Sequence, residues 1–322
     1  MTAADLLSAP PVHVDCHRHL GGCISPASIW EIIEETVDYD IAETLEELVQ
    51  QMTFAPHEPH GFHHFLDKFR VLDLIKWTPE RLRRCIRQVC RDLDVDHALI
   101  RFSINKYSEM GLSPSEAIQF IAECFHEAAP RRVGLMLSLK YESPRASQRH
   151  YARLLDDGRV RSVLAGLDLV GDEAYWDQEF YTPIVAHWLA AGKIVTAHVG
   201  ESQSAENIRE ALDMGIRDIC HGIHILDFPE LIPVAREVGA YFHTTVTSNY
   251  LTGVIAPDAR HPSLAMLEAG LNVTIGTDDP VQCSTTLQRE FDILTRQGAT
   301  VDQLDALRSF AVSRIRTTLN SL

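Results

Sequence analysis

Positive charge is scarce in this sequence: 29 lysines and arginines stand against 45 aspartates and glutamates, a formal net charge of −16. The average surface therefore repels phosphate backbones and anionic bilayers, so neither nucleic acid nor a membrane is an expected partner. Any CxxC pair is missing too. The seven cysteines, at 16, 23, 85, 90, 124, 220 and 283, are odd in number and sit in apolar or helical stretches, which reads as thiols in a reducing compartment. No apolar run approaches the roughly 18 residues that span a bilayer. Residues 1–8 carry Asp5 and no basic residue, so no leader is expected and the cytoplasm is the default location. There is no linker rich in glycine, serine or proline, no fixed-period repeat and no shift in composition. With 45% apolar residues over 322 positions, the expectation is one domain, 1–322, with a sizeable core.

What is present is alternation. Short β-branched or apolar runs recur at 12–16, 98–104, 133–139, 163–169, 193–197, 218–220, 241–246 and 272–276. Between them, helical spacing covers 26–35, a long pair over 62–94, 113–128, 144–156, 180–191, 205–214, 229–238 and 261–269. Ser25, Thr78, Ser113 and Ser143 each precede a proline at a helix start, the position of a capping hydroxyl. Strands that alternate with helices pair in parallel, because each crossover needs a dozen or more residues. Eight such units close into a (β/α)8 TIM barrel. Extra helices after the first strand make an insertion over about 37–95, expected across the mouth, and the stretches 284–297 and 301–321 are expected as C-terminal helices outside the barrel.

The metal-ligand residue types cluster at strand ends. His17 and His19 end the first strand, and residues two apart in an extended chain face one side. By itself an HxH also fits a surface or capping role, and a single histidine such as His198 also fits a satisfied core position. Asp278 and Asp279 follow an apolar run, where adjacent carboxylates lose hydration and repel each other, a cost that a divalent cation offsets. In a barrel the carboxyl ends of all strands surround one pocket, so His17, His19, His198 and Asp278 would meet there. Three imidazoles and a carboxylate suit one zinc ion per chain with an open position for water.

Seven motifs occur in order: HRHLGG at 17–22, RFS at 101–103, LDLVGDE at 167–173, HVGES at 198–202, HGIH at 221–224, SNYLTG at 248–253 and GTDDP at 276–280. With these the sequence resembles the adenosine deaminase family of the amidohydrolase superfamily. The resemblance implies zinc on His17, His19, His198 and Asp278, and Glu201, His221 and Asp279 around a purine, with the backbone amide of Gly171 offered to the ring. Zinc lowers the pKa of bound water toward about 7. His221 would take the water proton or hold the hydroxide in place, Glu201 would protonate a ring nitrogen, and Asp279 would accept a hydrogen bond from the ring or orient the water. The implied reaction replaces the amino group at C6 of a 6-aminopurine with oxygen and releases ammonia, with a small-molecule purine and water as the only partners.

Gly21 departs from the family, whose adenosine-specific members carry aspartate there for the ribose 5′-hydroxyl. It reads either as a tight turn in Gly21-Gly22 or as a site opened to a 5′ substituent. Free adenine and N6-substituted AMP remain alternative substrates, and a 5′-phosphate would need Arg18 or a basic residue of the insertion. His19, Phe62 and Phe65 are expected against the substrate. His57, His60, His63 and His64 fit a solvated mouth loop better than a second metal site, because no cysteine or paired acid accompanies them. Two rivals remain. A two-metal amidohydrolase would need a lysine after the fourth strand, where the sequence has Val170-Gly171, while Lys140 follows the third. A barrel that only binds ligand, catalytically silent, would release no ammonia. The other zinc deaminase design, with HxE and PCxxC, has no counterpart here.

Overall fold

A computed structural model describes residues 12–36, 40–55, 57–129, 132–203 and 205–319. The stretch read for a leader, residues 37–39 and 56 of the insertion, and the last residues of the expected 301–321 helix lie outside the described residues. The apolar runs become eight strands: β1 Val14–His19, β2 His97–Phe102, β3 Val133–Lys140, β4 Leu164–Val170, β5 Ile194–Val199, β6 Asp218–His221, β7 Tyr241–Thr245 and β8 Asn272–Gly276. They lie in sequence order, each pair parallel. The ring closes where β1 meets the end of β8. His19 N–H donates to the Asp278 carbonyl at 2.9 Å, and Asp278 N–H donates to the His17 carbonyl at 2.8 Å. The fold is a (β/α)8 barrel, and its seam runs between HRH and TDD.

The caps at Ser25, Thr78 and Ser113 form as expected. Ser113 makes a full capping box with Glu116, satisfying two backbone donors that a helix start otherwise leaves unpaired. Ser143 does not cap: Pro144 takes the N-cap position of Arg145–Ala152 with no side-chain bond. The long pair over 62–94 is three helices, Phe62–Asp67, Arg70–Leu74 and Pro79–Arg91, because Thr78-Pro79 restarts the chain. β1 runs past 16 through His19, held by Asp278 and, at Leu20 N–H, by the Arg101 carbonyl at 2.7 Å.

Barrel interiors are usually filled with branched apolar side chains. Here Asp15, Arg101, Ser138, Asp168, Thr196 and His243 are buried within it. Arg101 is wholly buried and donates to Asp168 at 3.1 Å, the Cys16 carbonyl at 2.9 Å and Cys220 Sγ at 3.2 Å. Such a charge is tolerated only when paired and hydrogen-bonded. The helix Val301–Leu319 covers the amino end of the barrel. Its Ala311 and Ile315 pack on Val14, Cys16 and Leu99, and Arg314 makes a bidentate pair with Asp218 at 2.5 and 2.6 Å. All seven cysteines are free and buried.

Candidate active site

The strand ends bring the candidate ligands side by side: His17, His19 and Asp278 hold ligand atoms within 4.8 Å of one another, and His17 does the same with His198 and Cys220. Asp15 accepts from His17 N–H, Arg18 Nε and the Thr277 hydroxyl, which fixes β1 against the turn that carries Asp278. His17 Nδ1 lies 2.9 Å from the His243 carbonyl, so that nitrogen carries the proton and Nε2 keeps its lone pair. His17 Nε2 and His19 Nε2 are 3.3 and 3.2 Å from the same Asp278 oxygen. The His198 ring is 4.8 Å from that of His17 and 5.2 Å from that of His19. His17 Nε2 and His198 Nε2 are both buried without a hydrogen-bond partner, with Asp168 Oδ1 3.2 Å from His198 Nε2. Two buried imidazole nitrogens facing one space, beside a carboxylate, are what a divalent metal would satisfy. Cys220 also lies within reach of His17 and His198, but burial pushes its thiol pKa up and it accepts from Arg101, so Asp278 is the better donor.

Asp278 and His221 both hold φ at 60°, a left-handed conformation uncommon outside glycine and typical of strained functional positions. Ser248 donates to the second Asp278 oxygen at 2.6 Å. Burial alone would raise the Asp278 carboxyl; His17 and His19 beside it hold it well below the usual range. Asp279 is pushed up to about 8, first by burial and then by Asp278.

Glu201 sits on a loop held from behind. The Glu173 carboxylate accepts from the backbone N–H groups of Gly200, Glu201 and Ser202 at 2.7 to 2.9 Å. Burial, then the charges of Asp278 and Glu173, raise the Glu201 carboxyl well above its ordinary value, the direction that favours the acid form. Glu201 Oε2 is 3.5 Å from His221 Nε2, and the His221 ring is 4.8 Å from His17 and 5.2 Å from His198.

His19, His198, Glu201, His221, Asp278 and Asp279 line one cavity of about 290 Å³, together with Gly171, Gly21, Phe62 and Phe65. Gly171 holds φ at 117°, and a Cβ there would lie 2.3 Å from Glu142. Arg18, proposed above as a phosphate cation, is buried between Asp15 and Asp94 at 2.9 and 2.7 Å and does not line the cavity; no basic residue of the insertion does either. The cations on its wall are Arg101, Lys106 and Lys140. His64 is bonded to Glu58, and no group of metal-ligand atoms gathers around the insertion histidines among the described residues. Asp168 and Glu173 share the LDLVGDE motif with Gly171; an acid inside an apolar strand is the sequence signal for Asp168, and Glu173 and Lys106 carry none.

The adenosine deaminase family model matches residues 12–318. The chain belongs to the adenosine deaminase family. An adenosine deaminase from Enterococcus faecalis is 26% identical over 286 residues, 86% of this chain and 83% of that protein. An aminodeoxyfutalosine deaminase from Streptomyces coelicolor is 28% identical over 292 residues, 88% of this chain and 74% of that protein. The crystal structure of an adenine deaminase from Arthrobacter aurescens shares the fold, with a TM-score of 0.82 at 20% identity, covering 97% of this chain and 98% of that one. This member of the family is a metal-dependent hydrolase of purine C–N bonds, and its reaction is purine deamination.

Proposed function

We propose that the protein deaminates C6 of an adenosine bearing a 5′ substituent, with one zinc ion per chain held by His17, His19, His198 and Asp278. The observation that carries the reaction is a buried Glu201, its carboxyl raised well above the ordinary value by burial, beside His221, His19, His198 and Asp278 in one cavity. When bound, zinc supplies a nucleophilic water near neutral pH. Glu201 delivers its proton to the ring nitrogen next to C6, which makes that carbon electrophilic. His221 orients the attacking water. Asp279, whose Oδ1 is buried without a partner and whose carboxyl is pushed up to about 8, donates to a lone pair of a ring nitrogen, and the Gly171 amide contacts the purine. His19, Phe62 and Phe65 border the bound nucleoside. A carbon–oxygen bond forms at C6, one proton of the water passes to the amino group, the carbon–nitrogen bond breaks with loss of ammonia, and the other water proton restores Glu201.

The 5′ substituent is supported by what lies past Gly21. A second cavity of about 280 Å³ shares Asp73, Ser103, Lys106 and Lys140 with the first, giving room beyond a ribose. Free adenine would leave that room unfilled. An N6-substituted AMP would set its phosphate near Lys106 and Lys140, and Lys106 is already paired with Asp73 at 2.5 Å.

A substrate panel tests this: adenine, adenosine, AMP, N6-methyl-AMP, aminodeoxyfutalosine and 5′-thioadenosines, scored by ultraviolet change and ammonia release. The expected result is at least tenfold higher kcat/KM for a 5′-modified adenosine than for adenosine. Glu201→Gln keeps the metal and lowers kcat by about 10³-fold. Preference for adenosine or adenine would overturn the substrate assignment, and no ammonia from any compound would leave the silent binding protein.

A further inference from the structure

The SNYLTG motif has one residue that the reaction above does not use. Asn249 is fully buried, and its side-chain nitrogen lies 3.2 Å from Glu201 Oε1 and 3.1 Å from His221 Nδ1. Its side-chain oxygen lies 3.2 Å from His261 Nε2. We propose that Asn249 is a positioning residue whose two amide hydrogens hold Glu201 and His221 together and fix the His221 proton on Nε2. This rests on the roles given to Glu201 and His221 above.

The direction of every bond follows from one backbone group. Ser263 N–H can only donate, and it faces His261 Nδ1 at 3.3 Å, with the Ser263 hydroxyl at 2.6 Å from the same nitrogen. His261 Nδ1 is therefore an acceptor. Burial pushes the His261 imidazole down to about 3, so the ring is neutral and its single proton sits on Nε2. That proton faces Asn249 Oδ1 at 3.2 Å, with the Thr245 carbonyl as a second acceptor of the ring, and with Oδ1 on that side the amide NH2 turns toward the cavity, where Glu201 Oε1 accepts from it. One of its hydrogens meets Glu201 Oε1 and the other meets His221 Nδ1. One consequence follows, with Glu201 Oε1 held by the amide. His221 presents Nε2–H to the cavity, so it donates a hydrogen bond to the attacking water rather than removing its proton. Of the two roles open for His221 from sequence, the amide selects the second. Thr245 Oγ1, 3.3 Å from His221 Nδ1, is a second potential donor to that same nitrogen.

Asn249→Asp has the same size and still accepts from His261, but it loses both donors. In the zinc-loaded protein it is expected to keep metal content and Tm, leave KM within about threefold and lower kcat about 100-fold, the scale of misplaced acid–base groups. His261→Leu, which frees the amide to turn over, is expected to lower kcat about tenfold by the same route. A readout independent of turnover is nitrogen-15 NMR of the imidazoles in zinc-loaded wild type, with His221 assigned by His221→Gln. The expected spectrum has the His221 proton on Nε2, moving to Nδ1 in Asn249→Asp. A wild-type proton on Nδ1, or an Asn249→Asp protein with full metal and kcat within threefold of wild type, would overturn the proposal. A wild type inert toward every aminopurine would instead overturn the proposed function and leave the tautomer readable.

Discussion

At the scale of single residues, the paired glycines of HRHLGG separate into two different physical cases. A Cβ on Gly22 would lie 2.0 Å from Asp279 Oδ1 and 2.5 Å from its Cα, so only glycine lets Asp279 reach its place. A Cβ on Gly21 would meet nothing closer than Leu72 at 3.6 Å and Phe69 at 3.8 Å, and its backbone is not left-handed. Gly21 opens the single 3-10 turn Gly21–Cys23, so the tight turn forms, yet no steric demand requires glycine at 21, and the opened sugar site stays open beside it. Gly21→Asp is therefore expected to fold with a stability change within about 1 kcal/mol, since no cavity or strain results. Its carboxylate would restore the acceptor for a free 5′-hydroxyl. The kcat/KM ratio of adenosine to the best 5′-modified substrate is expected to rise at least tenfold; an unchanged ratio would remove Gly21 from substrate selection.

At the scale of elements, the polar barrel needs its amino end sealed, and the helix Val301–Leu319 does this through Arg314. Asp218 is wholly enclosed. Burial would raise its carboxyl, but Arg314 and His243 lower it from an ordinary 3.8 to about 2. A carboxyl whose folded value is depressed adds stability above its unfolded value, and that stability is lost as the pH falls from about 4 through 2. Removing one partner of a buried pair strands the other charge, at a cost of about 3 kcal/mol or more. Arg314→Leu is thus expected to lower Tm at pH 7 and to flatten the Tm-against-pH curve between pH 4 and 2. Equal acid sensitivity in the two proteins would mean that other carboxylates govern it. His243 joins this pair to the site, since its ring meets Asp218 and its carbonyl holds the His17 ring. Activity in Arg314→Leu should fall along with stability.

At the scale of the whole molecule, the barrel seam and the candidate metal centre are the same place. The backbone bonds that close β1 on Asp278 position His17, His19 and Asp278 simultaneously. A metal that holds both sides of the seam favours the folded state by mass action, about 4 kcal/mol at a free concentration 1,000 times Kd. Chelation is expected to lower Tm by several degrees, with recovery on adding zinc, and elemental analysis of the active protein is expected to give one equivalent per chain. Two equivalents, or a Tm indifferent to chelator, would contradict a single site at the seam.

The sequence by itself determined the eight alternating units, the barrel class and the four candidate ligands, because strand period and strand-end placement are local properties that a barrel turns into convergence. It also exposed Gly21 as a departure, without saying whether sterics or substrate set it. Only the tertiary structure decided that Arg18 is consumed by Asp15 and Asp94, that Lys106 and Lys140 line the cavity, and that Asn249 stands between Glu201 and His221. Those contacts join residues up to 76 positions apart on different elements, and no periodicity encodes them. Hydrogen-bond direction around Asn249 likewise belongs to the tertiary structure, since it depends on a backbone N–H at Ser263, which can only donate, facing His261.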